Sequence, residues 1–307
     1  MKHGNQTVII IPIYNPDHKF LELLQMLKKQ DFLAFDIYII QTGSSHLKYE
    51  KYLEGFKYTI RYIKPSEFNH GGTRRKAALE CKDYEFLIYM TQDAVPKDEF
   101  SISNLLQCFS NPEIGCAFGR QIPNKDANLL AAFARTFNYP DKSYVMGMDD
   151  IKKYGIKASF LSDTFAAYRQ QALMAVGGFP EDVILGEDAV VASRMILLGW
   201  KKAYCADAEV YHSHNYSMIQ EFRRYFDTGV FHGRNPWIRN EFGRAEGEGK
   251  KYIYNEFRYI YKRNKLLQLP KALLIDACKY IAFNLGKKEK WIPLTLKKRI
   301  TMTKRYW

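Results

Sequence analysis

The sequence has no pair of cysteines at the spacing of a zinc knuckle or a redox motif, although it contains five cysteines. Its apolar runs are shorter than the ~20 residues that a membrane-spanning helix needs. The segment Met1–Gln6 leads directly into a predicted strand and lacks the apolar core of a signal peptide. These absences argue against structural zinc, a secreted disulfide scaffold and an integral membrane protein. They favour a cytoplasmic protein with reduced thiols.

Most of the chain also lacks a net charge. Basic and acidic residues are equal in number over residues 1–249, so the whole excess of +13 lies in residues 250–307. A segment of this charge is typical of contact with an anionic surface, either membrane headgroups or nucleic acid. A basic helical cap that only faces solvent is the plainer alternative.

Short apolar runs alternate with segments of helical spacing in the N-terminal part of the chain. The predicted strands there are Thr7–Ile11, Phe35–Ile40, Thr59–Ile63 and Phe86–Met90, and the predicted helices are Phe20–Gln30 and the segment that opens at Asn69. This alternation predicts an α/β fold with a mostly parallel, doubly wound sheet whose loops gather at one edge.

The remaining chain predicts further elements of both kinds. They are a helix over Ile102–Phe109, a strand over Gly115–Phe118, an irregular polar segment from Arg120 to Lys157, a strand over Phe160–Tyr168, helices over Gln170–Val176 and from Leu185 to Gly199, and short strands over Lys202–Cys205 and Glu209–Tyr211. We expect a nucleotide-binding half over residues 1–97, an acceptor and catalytic half over 98–235, and a basic helical extension over 236–307.

A carboxylate stands at the end of the fourth predicted strand. Asp93 follows Phe86–Met90 within Thr91-Gln-Asp-Ala-Val-Pro96. In open α/β sheets, ligands bind just outside the carboxyl ends of the strands, where a carboxylate can hold a divalent cation and, through it, a diphosphate. For an isolated aspartate, a cap of the following turn is the plainer interpretation.

Two motifs stand at predicted helix N-termini. His70-Gly-Gly-Thr-Arg74 combines a glycine pair with a guanidinium, which suits an anion, although a tight turn also explains the glycines. Glu187 and Asp188 begin another helix directly after Gly186. Helix capping explains one such carboxylate well and two less well. If Asp188 faces the same cleft as Asp93, it would act as a general base for a hydroxyl nucleophile.

Two histidines flank Ser213 after a short predicted strand. In an extended segment, His212 and His214 lie on one face, and with Asp93 they would complete a divalent-cation site. Structural histidines are the alternative.

As an ordered set, these motifs resemble family 2 glycosyltransferases of the GT-A fold. The set comprises Val8-Ile-Ile-Ile-Pro-Ile-Tyr-Asn15, the Gly43-Ser44 turn, Asp93, Gly177-Gly-Phe179 and Glu187-Asp188. Three segments resemble more narrowly the bacterial rhamnosyltransferase branch of that family, namely Asn69–Arg74, Thr91–Pro96 and Tyr211–Ser217. The resemblance covers residues 7–235 and implies a Rossmann-like, mostly parallel twisted sheet flanked by helices.

Carried over by position, the resemblance implies inverting transfer of a sugar from a nucleotide diphosphate, with dTDP-L-rhamnose as the expected donor. Asp188 would be the catalytic base beside Glu187, and Asp93 with His212 or His214 would hold Mg²⁺ or Mn²⁺. The residues expected to contact the donor are Pro12, Tyr14, Asn15, Thr42, Gly43, His70, Gly71, Arg74, Gln92 and Asp93. Arg74 would face the diphosphate. Asp163 would contact the acceptor, with a turn or a buried hydrogen bond as the alternative.

Two segments depart from the family pattern. Gln41 and Thr42 stand where the family usually carries acidic residues after the second strand, so recognition of the base is expected to differ. Thr91 stands where the metal motif has a preceding acid, which leaves Asp93 as the single carboxylate there. A cation would therefore depend more strongly on the histidines.

The predicted enzyme is peripheral at the inner face of the cell membrane. The segment 266–285 mixes leucines with charged residues, so we expect it to contact anionic lipid, which suits a lipid-linked glycan acceptor. Another nucleotide-hexose, such as a UDP-sugar, is the alternative donor. A nucleic-acid-binding protein or an inactive scaffold is the alternative outside this class. The charge-balanced body argues against the first, and the presence of Asp93 and Asp188 argues against the second.

Overall fold

The computed structural model describes residues 6–243 and 246–307. The strands in this part of the chain are β1 Thr7–Tyr14, β2 Phe35–Thr42, β3 Tyr58–Ile63, β4 Phe86–Met90, β5 Val95–Pro96, β6 Ile114–Ile122, β7 Tyr144–Met146, β8 Phe165–Arg169 and β9 Lys201–Tyr211. They form one nine-stranded sheet.

Helices cover both faces of this sheet and make up the C-terminal part of the chain. They are α1 His18–Leu27, α2 His70–Glu80, α3 Ser101–Gln107, α4 Leu129–Asn138, α5 Ile151–Tyr154, α6 Gln170–Ala175, α7 Glu187–Leu197, α8 Met218–Arg234, α9 Pro236–Phe242, α10 Glu246–Lys262, α11 Leu269–Lys287 and α12 Leu294–Ile300. Among the described residues, no helix is both long and apolar enough to cross a bilayer.

The strand order across the sheet is β3-β2-β1-β4-β8-β6-β9-β5, with β7 paired to β9. The first four strands of this order are parallel to one another, and β8 runs antiparallel between β4 and β6. Strands β6 and β9 are again parallel. The mostly parallel α/β sheet predicted from the sequence is therefore confirmed, and the carboxyl ends of β1, β2 and β4 meet at one edge.

Strands β1, β2 and β4 are buried on both faces, which explains why they are rich in consecutive apolar residues. In β1, Ile9, Ile11 and Ile13 belong to the core on the side of α1 and α3, whereas Val8 and Ile10 belong to the core on the opposite side. Helices α6 and α7 supply Leu173, Val191 and Met195 to that second core.

The prediction of an irregular segment from Arg120 to Lys157 was wrong, because α4 and β7 lie within it. Helix α4 begins at a clear cap, where Asn128 Oδ1 accepts hydrogen bonds from the backbone N–H groups of Leu130 and Ala131. Its buried Phe133 packs against Tyr259 of α10, with ring centroids 5.2 Å apart. The apolar partner of α4 is therefore far away in the sequence.

Two predicted strand boundaries also differ from the structure. Lys202–Cys205 and Glu209–Tyr211 belong to the single strand β9, which has a register irregularity opposite Gly119 and Arg120 of β6. The strand predicted over Phe160–Tyr168 begins only at Phe165. The chain before it turns around the buried Lys202 ammonium group, which donates to the carbonyl groups of Ala158 and Phe160, both at 2.6 Å.

The basic helical extension predicted over residues 236–307 packs against α8, which precedes it. Gly229 of α8 faces the carbonyl oxygen of Phe283 in α11, and Gly286 of α11 faces the carbonyl oxygen of Phe226 in α8. A Cβ atom at either glycine would collide with that backbone. The two helices therefore lie in close backbone contact, which fixes the extension on the remainder of the fold.

Candidate active site

A two-residue ladder brings the predicted metal ligands together. Val95 and Pro96, just beyond Asp93, pair antiparallel with Tyr211 and Val210 at the end of β9. The residues that follow β9, His212 and His214, consequently lie beside Asp93.

Three side chains converge at this point. The Oδ2 atom of Asp93 lies 3.6 Å from Nε2 of His212 and 3.7 Å from Nε2 of His214. These separations are too long for hydrogen bonds. One ligand atom from each of the three residues lies within 4.8 Å of the others. The arrangement suits a shared cation better than direct hydrogen bonds between the side chains.

A second layer of hydrogen bonds orients His212. Its Nδ1 lies 2.9 Å from Oε1 of Gln121, and its backbone N–H donates to the carbonyl oxygen of Ile122. Burial lowers the pKa of His212 well below its ordinary value, so the ring is neutral. Because Gln121 Oε1 also accepts from Arg135, it is an acceptor, and Nδ1 of His212 carries the hydrogen. The Nε2 lone pair, 3.6 Å from Oδ2 of Asp93, is then available to a cation.

Asp188 lies at the first turn of α7 and is held by two backbone donors. Its Oδ2 accepts from the N–H of Asp163 at 3.1 Å, and its Oδ1 accepts from the N–H of Ala189 at 2.8 Å. Burial, with the nearby carboxylates of Asp163 and Glu187, raises the pKa of Asp188 well above its ordinary value. A carboxylate with a raised pKa is a stronger proton acceptor, which suits a general base.

The candidate base and the candidate cation site are connected through one short segment. Gln121, which orients His212, donates from Nε2 to the hydroxyl of Ser162 at 2.9 Å. The next residue, Asp163, donates its N–H to Asp188. Thr164 accepts from the N–H of Thr91, two residues before Asp93. Segment 162–164 therefore touches both groups of residues.

Arg74 occupies a buried ionic network and does not present a free guanidinium. Its Nε lies 2.9 Å from Oδ2 of Asp163, and its Nη1 lies 3.0 Å from Oε1 of Glu187. Burial raises the pKa of Asp163 to about 6, against the opposing effect of Arg74. Tyr168 donates its hydroxyl hydrogen to the other oxygen of Asp163. Asp163 and Glu187 thus serve as partners of Arg74 in this structure.

The glycine pair that precedes Arg74 has a packing role. A Cβ atom at Gly71 would overlap the carbonyl oxygen of Pro180, so the start of α2 lies directly against that backbone. The cap of α2 is Asn69, whose Oδ1 accepts from the N–H of Gly72 at 2.7 Å. Burial lowers the pKa of His70, and its ring meets the ring of Phe68 edge to face. At this helix N-terminus, Asn69 therefore caps the N–H of Gly72, and Gly71 packs against the chain at Pro180.

The remaining residues expected at the nucleotide lie at the carboxyl ends of β1 and β2. Tyr14 stands opposite Thr42 in the parallel ladder, two residues after Pro12, and its side chain is 52% exposed. Asn15 and Gly43 follow with positive φ angles of 45° and 72°. The chain therefore changes direction directly after both β1 and β2, and Tyr14 is exposed at this edge of the sheet.

Gln92 joins this edge to the cation site. Its Oε1 accepts from the backbone N–H of Tyr14 at 2.8 Å, and its Nε2 donates to the carbonyl oxygen of the same residue at 3.2 Å. This two-bond bridge fixes the end of β1 beside Asp93.

Comparison with known proteins identifies the family of the chain. The family model described as "Glycosyl transferase family 2" matches residues 8–177. The chain is 42% identical over 299 residues to "O-antigen chain rhamnosyltransferase RfbN" of Salmonella typhimurium, with 97% of this chain and 95% of that protein covered. It is 41% identical over 300 residues to "O-antigen chain rhamnosyltransferase WbaN" of Salmonella anatum, with the same coverage. The chain belongs to glycosyl transferase family 2.

Solved structures of glycosyltransferases share the fold at low sequence identity. A mannosyltransferase from Pyrobaculum calidifontis, solved with GDP-Man and Mn²⁺, superimposes with a TM-score of 0.64 at 14% identity and covers 94% of this chain and 89% of its own. Residues 1–349 of TarS from S. aureus, solved with UDP-GlcNAc, give a TM-score of 0.53 at 14% identity, with 92% and 91% covered. The GT-A fold predicted from the sequence is thus confirmed for this family 2 glycosyltransferase.

Two residues of the candidate site were not anticipated from the sequence. Gln121 orients His212, and Ser162 continues that chain of hydrogen bonds toward Asp163. The only available signal for Gln121 was its place near the end of a predicted strand. The donor set of one carboxylate and two imidazoles, with one imidazole oriented by Gln121, fits a divalent cation.

Proposed function

We propose that this protein is an inverting rhamnosyltransferase that moves L-rhamnose from dTDP-L-rhamnose to a hydroxyl of a lipid-linked cell-surface polysaccharide. The choice of sugar rests on sequence similarity. The chain is 42% and 41% identical to two O-antigen rhamnosyltransferases, with 97% of its length covered. The geometry around Asp188 supports the chemistry.

Asp188 is the proposed general base. Its carboxylate takes the proton of the acceptor hydroxyl while that oxygen forms a bond to the anomeric carbon of the donor. The bond from the anomeric carbon to the phosphate oxygen breaks, and its electron pair leaves with dTDP. Attack from the face opposite the leaving group inverts the anomeric centre.

The buried network around Arg74 holds the base in place. Glu187 and Asp163 both pair with the guanidinium, and the N–H of Asp163 donates to Asp188. Arg74 and Glu187 are therefore proposed to position Asp188. Asp163 links Arg74 to Asp188 and is the proposed contact of the acceptor. The role of Arg74 at the diphosphate, expected from the resemblance, is not part of this proposal.

Asp93, His212 and His214 are the proposed ligands of Mg²⁺ or Mn²⁺. When bound, such a cation offsets the negative charge of the departing diphosphate. Gln121 holds His212 in the tautomer that leaves Nε2 available, and Gln92 fixes the strand end that carries Tyr14. Pro12, Tyr14, Asn15, Thr42 and Gly43 are the proposed contacts of the nucleotide.

The C-terminal helices are proposed to place the enzyme on the inner face of the cell membrane. Helix α11 buries Ile275 and Ala282, whereas Leu274 and Ile281 are more than half exposed. Trp291, beyond α11, is 88% exposed. Exposed apolar side chains among the basic residues of 250–307 suit an anionic lipid surface. In this proposal, residues 1–97 bind the donor, 98–235 carry the acceptor and catalytic groups, and 236–307 form the extension.

Donor binding measured by calorimetry tests the sugar and nucleotide. The protein is titrated with dTDP-L-rhamnose, UDP-glucose, UDP-galactose and UDP-GlcNAc, each with and without Mn²⁺. We expect dTDP-L-rhamnose to bind most tightly and Mn²⁺ to strengthen its binding. Preference for a UDP-sugar would keep the family and its mechanism but overturn the assignment of the donor.

A further inference from the structure

A large concavity lies beside the candidate base and has no assigned ligand. It lies between α4, the α5 region and α10, has a volume of about 1040 Å³, and includes Ala189, the residue after Asp188, in its wall. Ligand pockets commonly have volumes of roughly 300–1,000 Å³, so this one has room for more than a single sugar. Its wall thus reaches the residue that follows the candidate base in α7.

The charge of this concavity is entirely positive. Its lining includes six basic residues and, among the described residues, no Asp or Glu. The basic residues are Lys142, Lys153, Lys157, Lys251, Arg258 and Lys262. They come from three separate segments, the loop after α4, the region of α5, and α10. Cations that converge on one concave surface from separate segments create a local positive potential that attracts an anion.

Aromatic rings line the same concavity. Phe133 and Phe137 of α4, Tyr144 of β7, and Tyr259 of α10 all belong to its wall. Phe133 lies at the centre of a ring cluster, 5.2 Å from Tyr259 and 5.7 Å from Phe137 between centroids. Such a wall suits a ligand with two parts, in which an apolar or sugar surface packs on the aromatic rings and a phosphate group contacts the cations.

Helix α10 presents two different faces. Lys251, Arg258 and Lys262 follow helical spacing and line the concavity. Tyr254, Phe257 and Tyr261 form an adjacent stripe, and each is more than half exposed. The boundary between a cationic concavity and an exposed apolar stripe therefore runs along a single helix.

We propose that this concavity binds the phosphate or diphosphate group that joins the acceptor glycan to its lipid. The cations of α10 hold the phosphate oxygens, the apolar stripe of α10 lies along the lipid, and the glycan extends past Ala189 to Asp188. The proposal rests on the proposed function in that it assumes a lipid-linked acceptor. It adds the site and the chemical group by which that acceptor is held.

Binding of farnesyl diphosphate, a water-soluble prenyl diphosphate, tests the proposal. Intrinsic fluorescence is followed on titration of the full chain, after the donor site has been saturated with Mn²⁺ and the nucleotide that calorimetry selects. Farnesol and inorganic pyrophosphate are titrated as separate arms. We expect farnesyl diphosphate to bind more tightly than either comparison compound.

Removal of the cations tests the site itself. Arg258→Gln with Lys262→Gln is expected to weaken farnesyl diphosphate binding at least about tenfold, because two charge-assisted contacts are lost. Lys28→Gln with Lys29→Gln removes the same charge from exposed positions just after α1 and should leave binding unchanged. Lys251→Gln, a single exposed change, is expected to weaken binding in the same direction if the double variant folds poorly.

Three results would overturn the proposal. The first is equal binding by the double variant and the wild type. The second is loss of farnesyl diphosphate binding once the donor site is filled, which would place the probe in the donor site. The third is that the double variant loses binding to phosphatidylglycerol vesicles, in the absence of prenyl diphosphate, by the same factor as it loses farnesyl diphosphate binding. That result would show a general membrane contact. A preference for a UDP-sugar donor would overturn only the proposed sugar and leave these measurements intact.

Discussion

Substitution of Arg74 by glutamine tests the network that holds the candidate base. The Arg74 side chain is only 8% exposed and pairs with Asp163 and Glu187 at 2.9 and 3.0 Å. Without the guanidinium, these two carboxylates and Asp188 remain close together in a buried site. Loss of one partner of a buried ion pair typically costs about 3–5 kcal/mol of unfolding free energy, so a loss of this size is expected.

The adjacent residue supplies a matched control. Arg75 pairs with Glu181 at 2.9 Å, but these side chains are 44% and 59% exposed. An exposed ion pair contributes about 1 kcal/mol or less, so Arg75→Gln should change the unfolding free energy little. Urea unfolding of the two variants and the wild type, followed by circular dichroism, measures the difference. Equal destabilisation by both substitutions would refute the view that Arg74 holds a buried network.

The effect of Arg74→Gln should also depend on pH. The pKa of Asp163 is raised to about 6 with Arg74 present, and removal of the cation raises it further. A carboxyl with a raised pKa in the folded state contributes stability at low pH that is lost as the pH rises through that pKa. The variant should therefore approach the wild type in stability at about pH 5 and fall furthest below it at about pH 8. If the variant's loss of unfolding free energy were constant between these pH values, the buried carboxylates would not be its cause.

Three further predictions concern the cation, the base and the membrane. Asp93→Ala should abolish the strengthening of donor binding by Mn²⁺ in calorimetry, and retained strengthening would place the cation elsewhere. Asp188 acts as a base only when it is ionised, and its pKa is raised, so kcat should fall on acidification at pH values well above the ordinary pKa of an aspartate. A kcat that does not change with pH in that range would argue against Asp188 as the base. Leu274→Ser with Ile281→Ser should lower sedimentation with anionic vesicles at least about tenfold, whereas Leu33→Ser, at an exposed position of the N-terminal half, should not.

Strands β1, β2 and β4 of the parallel part of the sheet could be predicted from the sequence because they are buried on both faces. Such strands leave uninterrupted apolar runs, and Phe86–Met90 matches β4 in both of its bounds. The predictions for β1 and β2 ended too early, since both strands continue through polar or proline residues as far as Tyr14 and Thr42. Apolar runs mark the buried part of a strand, and ladder pairing extends beyond it.

The segment from Arg120 to Lys157 could not be assigned because its stabilising contacts are distant in the sequence. Phe133 and Phe137 of α4 both pack against Tyr252 of α10, and Phe133 also packs against Tyr259. Without knowledge of α10, the local pattern of Asn, Asp and Tyr indicated only a loop. The cap at Asn128 and the amphipathic, Leu- and Ala-rich spacing of Leu129–Asn138 were the local signals of a helix.

The sequence motifs led to the candidate site, but only the structure shows which of their residues face one another. Asp93, His212 and His214 lie together because β5 pairs with the end of β9, a contact that no local pattern predicts. The motif that contains Arg74 suggested an anion site, whereas the structure pairs Arg74 with Asp163 and Glu187. A basic residue in a motif can meet a ligand or an internal carboxylate, and the sequence does not distinguish the two.

Substitution of Asp188 by asparagine needs a check of the local structure. Both carboxylate oxygens accept backbone N–H groups, so either orientation of an asparagine amide turns its NH₂ group toward one of these donors. One unmatched contact of this kind costs about 1–3 kcal/mol. Urea unfolding and donor calorimetry of the variant therefore accompany any measurement of its activity.

Transfer of a deoxyhexose from dTDP-L-rhamnose to a lipid-linked glycan, detected by mass spectrometry, tests the central claim most directly. The wild type and Asp182→Asn, a neighbouring exposed change, should give the product at the same rate. Asp188→Asn should bind the donor normally and transfer about 10²–10⁴ times more slowly, the usual contribution of a general base. Undiminished transfer by Asp188→Asn, or no deoxyhexose transfer by the wild type, would contradict the account.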